Sequence, residues 1–155
     1  MDDPSASVRA MWSAFAGATG EAAPNYRIVQ FGDTPALQTE LAELVLHGPK
    51  RATTSLLRWY ASGAEPMPAA DEAGVVVDGA GIARCIIRTT RVDVLPFREV
   101  DAAFAFDEGE DDRTLGSWQA IHRAYFAREA AQDGFAFDND AEVVCERFAL
   151  VWPLR

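Results

Sequence analysis

Positive charge in this 155-residue chain is almost all arginine: among 14 basic residues, lysine occurs once, as Lys50. A guanidinium stays protonated at any ordinary pH, whereas a buried ε-amine can lose its proton and act as a base. The lone lysine is therefore the first candidate for chemistry, against the alternative of a solvated cation that ends a helix. Cysteine is nearly as scarce. Cys85 and Cys145 lie in apolar runs, and two cysteines do not make a disulfide framework, so buried thiols are expected. No run approaches the ~20 apolar residues that span a bilayer, and the N-terminus lacks a basic region followed by an apolar block and cleavage site. The expectation is a cytoplasmic protein with no membrane partner. Paired CxxC cysteines, HExxH, a Walker loop, a dinucleotide glycine fingerprint and a GxSxG elbow are all missing, which argues against a metal or other cofactor. Two histidines are present, far apart, and neither has an acidic partner at metal-ligand spacing. His47 reads as a cation at a helix C-terminus and His122 as a partly buried helix residue.

Acidic residues are what the chain has in excess, giving a net charge of −10 and a pI near 4.6. A long polyanion such as RNA would meet a repulsive mean field. A local basic patch is still open to Arg51, Arg58, Arg84, Arg88 and Arg91, which all fall in the middle third. The hydrophobic fraction of 49% supports one core, and the absence of repeats and linkers suggests a single domain over 1–155, with 1–25 as an N-terminal helical extension.

Val8, Met11, Trp12 and Phe15 recur at helical spacing over Ser7 to Ala18, with Gly20 as the stop. Tyr26 to Phe31 alternates as a strand or extended segment, and Gly32-Asp33 ends it. A second helix is well marked: Thr34 caps it, Pro35 suits its first position, Leu37, Leu41, Leu44 and Val45 form its apolar stripe, and Gly48 ends it. Ser55 to Ala61 is open between a short helix and a strand. Asp78-Gly79-Ala80-Gly81 marks a hairpin between Gly74–Val77 and a long arm from Ile82 to Val94. An acidic stretch follows, read as solvated loop, before a helix from about Thr114 to Ala131 and a final strand from Glu142 to Trp152.

Lys50 thus follows a helix end, in Gly48-Pro49-Lys50-Arg51-Ala52-Thr53-Thr54-Ser55. Lys50 and Thr53 share one side only if the chain turns between them, since a straight strand would send them to opposite faces. Given such a turn, a threonine hydroxyl with a desolvated amine as its base is a workable nucleophile. One carboxylate of Asp107 to Asp112 could turn inward as acid, base or anchor.

Taken together, Phe31-Gly32-Asp33, Gly48-x-Lys50-Arg51-Ala52-Thr53, Cys85-Ile86-Ile87-Arg88-Thr89-Thr90, Glu108-Gly109-Glu110 and Val143-Val144-Cys145-Glu146-Arg147-Phe148 resemble, in the same order, the ASCH domain family. The resemblance runs from about Phe31 to Trp152. It implies an α+β fold of the PUA-like kind: a small, strongly bent β-barrel flanked by helices, with a cleft for RNA or a modified nucleoside. Among its branches, the GxKxxT motif of small bacterial amidohydrolases that act on N4-acetylcytidine falls on Gly48, Lys50 and Thr53. The resemblance then implies Thr53 as nucleophile, Lys50 as its base and Glu110 as the carboxylate that holds the departing amine. Glu108 stays open as the alternative, because the local match needs one inserted residue. Arg51, Thr54, Ser55 and Arg91 are the expected substrate contacts, and no cofactor is implied. The family also implies two other classes: an RNA-binding or ribonuclease-like domain using the same cleft, or an interaction module in which Lys50, Thr53 and Glu110 would lie apart.

Overall fold

The computed structural model describes residues 3–22, 25–63 and 65–154. Its first helix, α1, spans Pro4–Thr19, three residues earlier than hydrophobic spacing alone predicts. The extra turn comes from its cap: the Asp3 side chain accepts from the Ser5 amide and Pro4 pre-sets the first helical φ. Val8 and Phe15 pack on Val75, Val77 and Ile86, so this N-terminal helix covers one face of the sheet. After the short strand β1 (Arg27–Val29), α2 spans Pro35–Leu46, and Thr34 accepts from the Leu37 amide as its cap. Leu41, Ala42 and Val45 pack against Phe31, Val76, Cys85, Ile87 and Phe148.

For Ser55 to Ala61 the helix alternative holds from Leu57 onward, and the strand lies ahead of it. Strand β2 covers Ala52–Leu56, and the chain then turns directly into the short helix α3, Leu57–Ala61. Strands β3 (Ala73–Val77) and β4 (Ala83–Pro96) form the expected hairpin, in which Asp78 Oδ1 accepts from the Ala80 and Ile82 amides. The acidic stretch is not plain loop. A 3-10 turn at Phe97–Glu99 and a helix, α4, at Ala102–Glu108 lie within it, because Asp101 caps the Phe104 amide and Phe104 and Ala105 bury into the core. Helix α5 (Leu115–Asp133) and strand β5 (Glu142–Trp152) complete the chain.

The strands order as β1-β3-β4-β5-β2, with β1 parallel to β3 and every other pair antiparallel. This five-stranded mixed sheet is a half-barrel flanked by helices, an α+β architecture. Register shifts in the long β4–β5 ribbon fall between Ile86 and Ile87 and between Thr89 and Arg91, where an extra residue bends the strand. The bend lets β5 serve two cores: Val143 and Cys145 pack toward α4 and α5, and Phe148 packs toward α2. Cys85 and Cys145 are both buried free thiols. Among the described residues, no helix is long and apolar enough to cross a membrane.

Candidate active site

Lys50 sits where three elements meet. Its amide donates to Leu44 O at the end of α2, the next amide, of Arg51, donates to Asp107 O in α4, and Arg51 O accepts from the Phe148 amide in β5. The side chain has no exposure at all. Its Nζ donates to Ala52 O at 2.8 Å, Glu110 Oε2 at 2.9 Å and Glu108 Oε2 at 3.3 Å, and lies 5.2 Å from the centre of the Phe31 ring. Three acceptors match the three N–H bonds of an ammonium. Burial alone would lower this amine's pKa, but the two carboxylates reverse the effect and raise it. Lys50 is thus held as a cation, the opposite of the depressed amine that a resting base requires.

The two glutamates reach Lys50 because Gly109 lies between them. It closes α4 in the left-handed conformation, φ 72°, and a β-carbon there would come within 2.7 Å of Lys50 N and Cα and of Pro49 C. Only a glycine permits this approach of two backbones.

Glu108 and Glu110 differ in their partners. Glu108 Oε1 accepts from Thr54 Oγ1 at 2.6 Å and Trp118 Nε1 at 2.8 Å, while Oε2 faces Lys50 and His122 Nε2, the latter at 3.1 Å. Burial works to raise its pKa, but His122, Lys50 and the hydrogen bonds outweigh it and hold Glu108 ionised far below the usual carboxylate range. His122 has acceptors on both ring nitrogens, Trp118 O at 2.9 Å from Nδ1 and Glu108 from Nε2, an arrangement that suits the doubly protonated ring. Its pKa is raised, since Glu108 more than offsets the effect of burial. Glu110 has one strong partner, Lys50. Burial and the adjacent Glu108 charge push its pKa up against that cation. One carboxylate is locked as an anion and the other can carry a proton.

These groups form one end of a cavity of about 740 Å³ under α5, lined also by Phe31, Thr53, Ser55, Trp59, Tyr60 and Tyr125. Thr53 and Glu146 are directly opposite each other on β2 and β5, which puts both side chains on one face of the sheet. At this second end, Glu146 Oε2 accepts from Thr89 Oγ1 at 2.6 Å and from Arg27 Nη2 at 2.8 Å. The Tyr60 hydroxyl has its pKa raised chiefly by burial, with a hydrogen bond to Ser55 opposing.

Of the residues singled out in the sequence, the cavity brings together Lys50, Thr53, Thr54, Ser55 and Glu110. The chain bends at 47–49 before β2 begins, and Lys50 and Thr53 both line the cavity, with Thr54 bonded to Glu108 beside Lys50 and Thr53 on the face of β2 that Glu146 shares. Arg51 and Arg91, expected as substrate contacts, lie outside it. The Arg51 guanidinium folds back onto Val45 O and Lys50 O, lining a separate groove near the end of α1, and Arg91, just past the β4 bulge, pairs with Asp93 on the surface. The middle arginines do not make one patch: Arg84 pairs with Glu43, Arg88 with Glu21, and Arg58 packs over Phe135. His47 is the C-cap of α2, with Glu43 Oε2 3.8 Å from its Nε2. The residues missed were His122, Trp118, Arg27 and Glu146. Only Glu146 left a signal, as a carboxylate that directly follows the apolar run Val143-Val144-Cys145 within a strand.

Sequence spacing also concealed that Glu108, Glu110 and His122 offer ligand atoms within 4.8 Å of one another. The donor set suits a divalent cation by type. Its centre, however, already has a cation: the Lys50 ammonium lies against both carboxylates, and a metal there would have to displace a tethered charge. The residues therefore do not fit a resident metal.

The profile of the ASCH domain family matches residues 27–152. The chain belongs to the ASCH domain family. Among solved structures, this ASCH domain is similar to one from Lactobacillus crispatus JV V101, at 31% identity and a TM-score of 0.87, with 94% of each chain covered. A protein of Enterococcus faecalis V583 is similar at 30% identity and a TM-score of 0.85, over 95% of this chain and 91% of that one. Comparison with curated proteins finds no match. The Gly48-x-Lys50 and Glu108-Gly109-Glu110 motifs of this ASCH domain are the two segments that meet at Gly109.

Proposed function

We propose that this ASCH domain is an amidohydrolase that removes the acyl group from N4-acylated cytosine nucleosides. The observation that carries the reading is the unequal pair of carboxylates sharing one buried ammonium at the wall of a cavity that also exposes Thr53. A volume of about 740 Å³ suits a nucleoside, and Phe31, Trp59, Tyr60 and Tyr125 offer faces for a pyrimidine. Five glutamates line the cavity against three permanent cations, Arg27, Lys50 and Arg128, which favours a neutral ligand over a polyphosphate. The RNA-binding alternative draws no comparable support from Arg58, Arg84, Arg88 and Arg91, each of which sits beside an acid or a ring.

In this reading the roles implied by family resemblance shift. Thr53 Oγ attacks the acyl carbon, and its proton passes to the ionised form of Glu110, whose raised pKa suits a proton carrier, rather than to Lys50. On protonation Glu110 loosens its hold on Lys50, and the ammonium turns toward the oxyanion of the tetrahedral intermediate. The carbon–nitrogen bond breaks as Glu110 returns the proton to the exocyclic nitrogen, and water then hydrolyses the acyl-threonine ester to release the acid and restore Thr53. Glu108 takes no proton; with His122 it keeps Lys50 charged and in place.

The test is hydrolysis of N4-acetylcytidine by purified protein, followed by ultraviolet absorbance beside a labelled RNA control. Turnover of the nucleoside with intact RNA is expected, and Lys50→Arg loses most of it, because a guanidinium fork does not reproduce an ammonium point charge. RNA cleavage, or tight RNA binding at near-physiological salt without nucleoside turnover, overturns the reading.

A further inference from the structure

Across from Thr53, on the β5 side of the cavity, lies a polar atom with no partner among the described residues. The Glu146 side chain is only 6% exposed, and its Oε2 is fixed by Thr89 and Arg27, yet among the described residues no donor reaches its Oε1. An oxygen that is neither satisfied nor sealed from solvent must open on the cavity that Glu146 lines. A carboxylate held on one oxygen, with the other presented to a ligand space, is a fixed acceptor awaiting a donor. Arg27 neutralises its charge locally, so Oε1 calls for a hydrogen-bond donor more than for a cation.

We propose that Glu146, held by Arg27 and Thr89, forms a subsite for the hydroxyls of the substrate's sugar. The assignment rests on the nucleoside reading above, and the chemistry of the ligand narrows it. With the exocyclic amide placed between Thr53 and the Lys50–Glu110 pair, the remaining polar atoms of an N1-substituted cytosine, N3 and O2, are both acceptors. A carboxylate would repel them. The donors left in such a molecule are its sugar hydroxyls, and Ser55 and Tyr60, which line the same cavity, add further hydroxyl partners. Glu65, hydrogen-bonded to Trp59 on this wall, adds a second carboxylate and works against a phosphate in the same place.

Calorimetric titration of the full chain with cytidine and with 1-methylcytosine, which lacks the sugar, tests this. Cytidine is expected to bind at least tenfold more tightly, as a hydrogen bond to a charged acceptor implies. In Glu146→Gln the amide oxygen can satisfy Arg27 and Thr89 while its NH2 faces the ligand, so the affinity ratio is expected to fall to about one. If circular dichroism shows that variant unfolded, Glu146→Asp keeps the charge beside Arg27 but withdraws the oxygen, and the ratio must fall in the same direction. A ratio near one in the unmodified protein, including no binding of either compound, or a ratio unchanged in the folded variant, overturns the subsite. Hydrolysis of N4-acetyl-1-methylcytosine needs no sugar. Its absence counts against the amidohydrolase reading, whereas its presence with a flat binding ratio counts against the subsite alone.

Discussion

At one end of the cavity Lys50 is wholly enclosed and answers to two carboxylates; at the other, the Arg27 side chain keeps 19% of its exposure and answers to one. Two anions sharing one cation cannot both be fully stabilised, so the four donors around Glu108 leave Glu110 as the weaker acid, with a raised pKa. A one-to-one pair with a guanidinium has no such asymmetry to resolve. The difference separates two tasks within one cavity: a movable proton needs the crowded arrangement, and a fixed acceptor needs the simple one. Arginine suits the second because it forks without surrendering a proton, and lysine suits the first because its compact charge meets several oxygens at once.

The comparison breaks first on stability. Lys50→Met strands the buried Glu108 charge and is expected to cost about 3–5 kcal/mol, read from denaturant unfolding. Arg27→Met, at a partly exposed pair, should cost clearly less; an equal loss would mean that the two ends do not differ in kind. Next in size is Gly109→Ala, where strain at positive φ and the clash with the Lys50 backbone should together cost about 2–4 kcal/mol and reduce turnover by pushing both carboxylates away.

The two glutamates should then part company. Glu108→Gln removes an anion that four donors face and is expected to destabilise by about 2–3 kcal/mol, whereas Glu110→Gln should change stability at neutral pH by less than about 1 kcal/mol while abolishing hydrolysis. Equal destabilisation would end the distinction drawn between them. The smallest effect is in pH dependence. Glu108, with its pKa lowered on folding, adds stability above about pH 4.5 that is lost as pH falls below that value; Glu110, with its pKa raised, works against the fold as pH rises above 4.5. Stability profiles of the two Gln variants should therefore deviate from the parent with opposite slope, and the acid limb of kcat/KM should lie above pH 4.5.

Much of this was legible beforehand. Thr34-Pro35 announces α2, Asp78-Gly79 announces the hairpin, and the lone lysine points to the cleft, because each depends on local backbone chemistry or on composition. Helix α4 was not legible: at seven residues it has little periodicity, and its acids read as solvent-facing until Phe104 and Ala105 find a core supplied by β2 and β5. The charge state of Lys50 was hidden for a related reason. Its carboxylates come from 58 and 60 residues away, and no spacing rule spans such a distance. Arg27 and Glu146, 119 residues apart, were hidden in the same way.

The approach of Gly109 to Lys50 also orders events during folding. Lys50 cannot leave water until α4 docks, since desolvating an ammonium without its counter-ions costs several kcal/mol. The α2–β2 corner therefore stays hydrated until α4 docks, and the contact at Gly109 is expected to close on the native side of the rate-limiting barrier. Mutations there should accelerate unfolding and leave refolding nearly untouched. The residues that equip this protein for chemistry are then the last to be assembled and the first to be released.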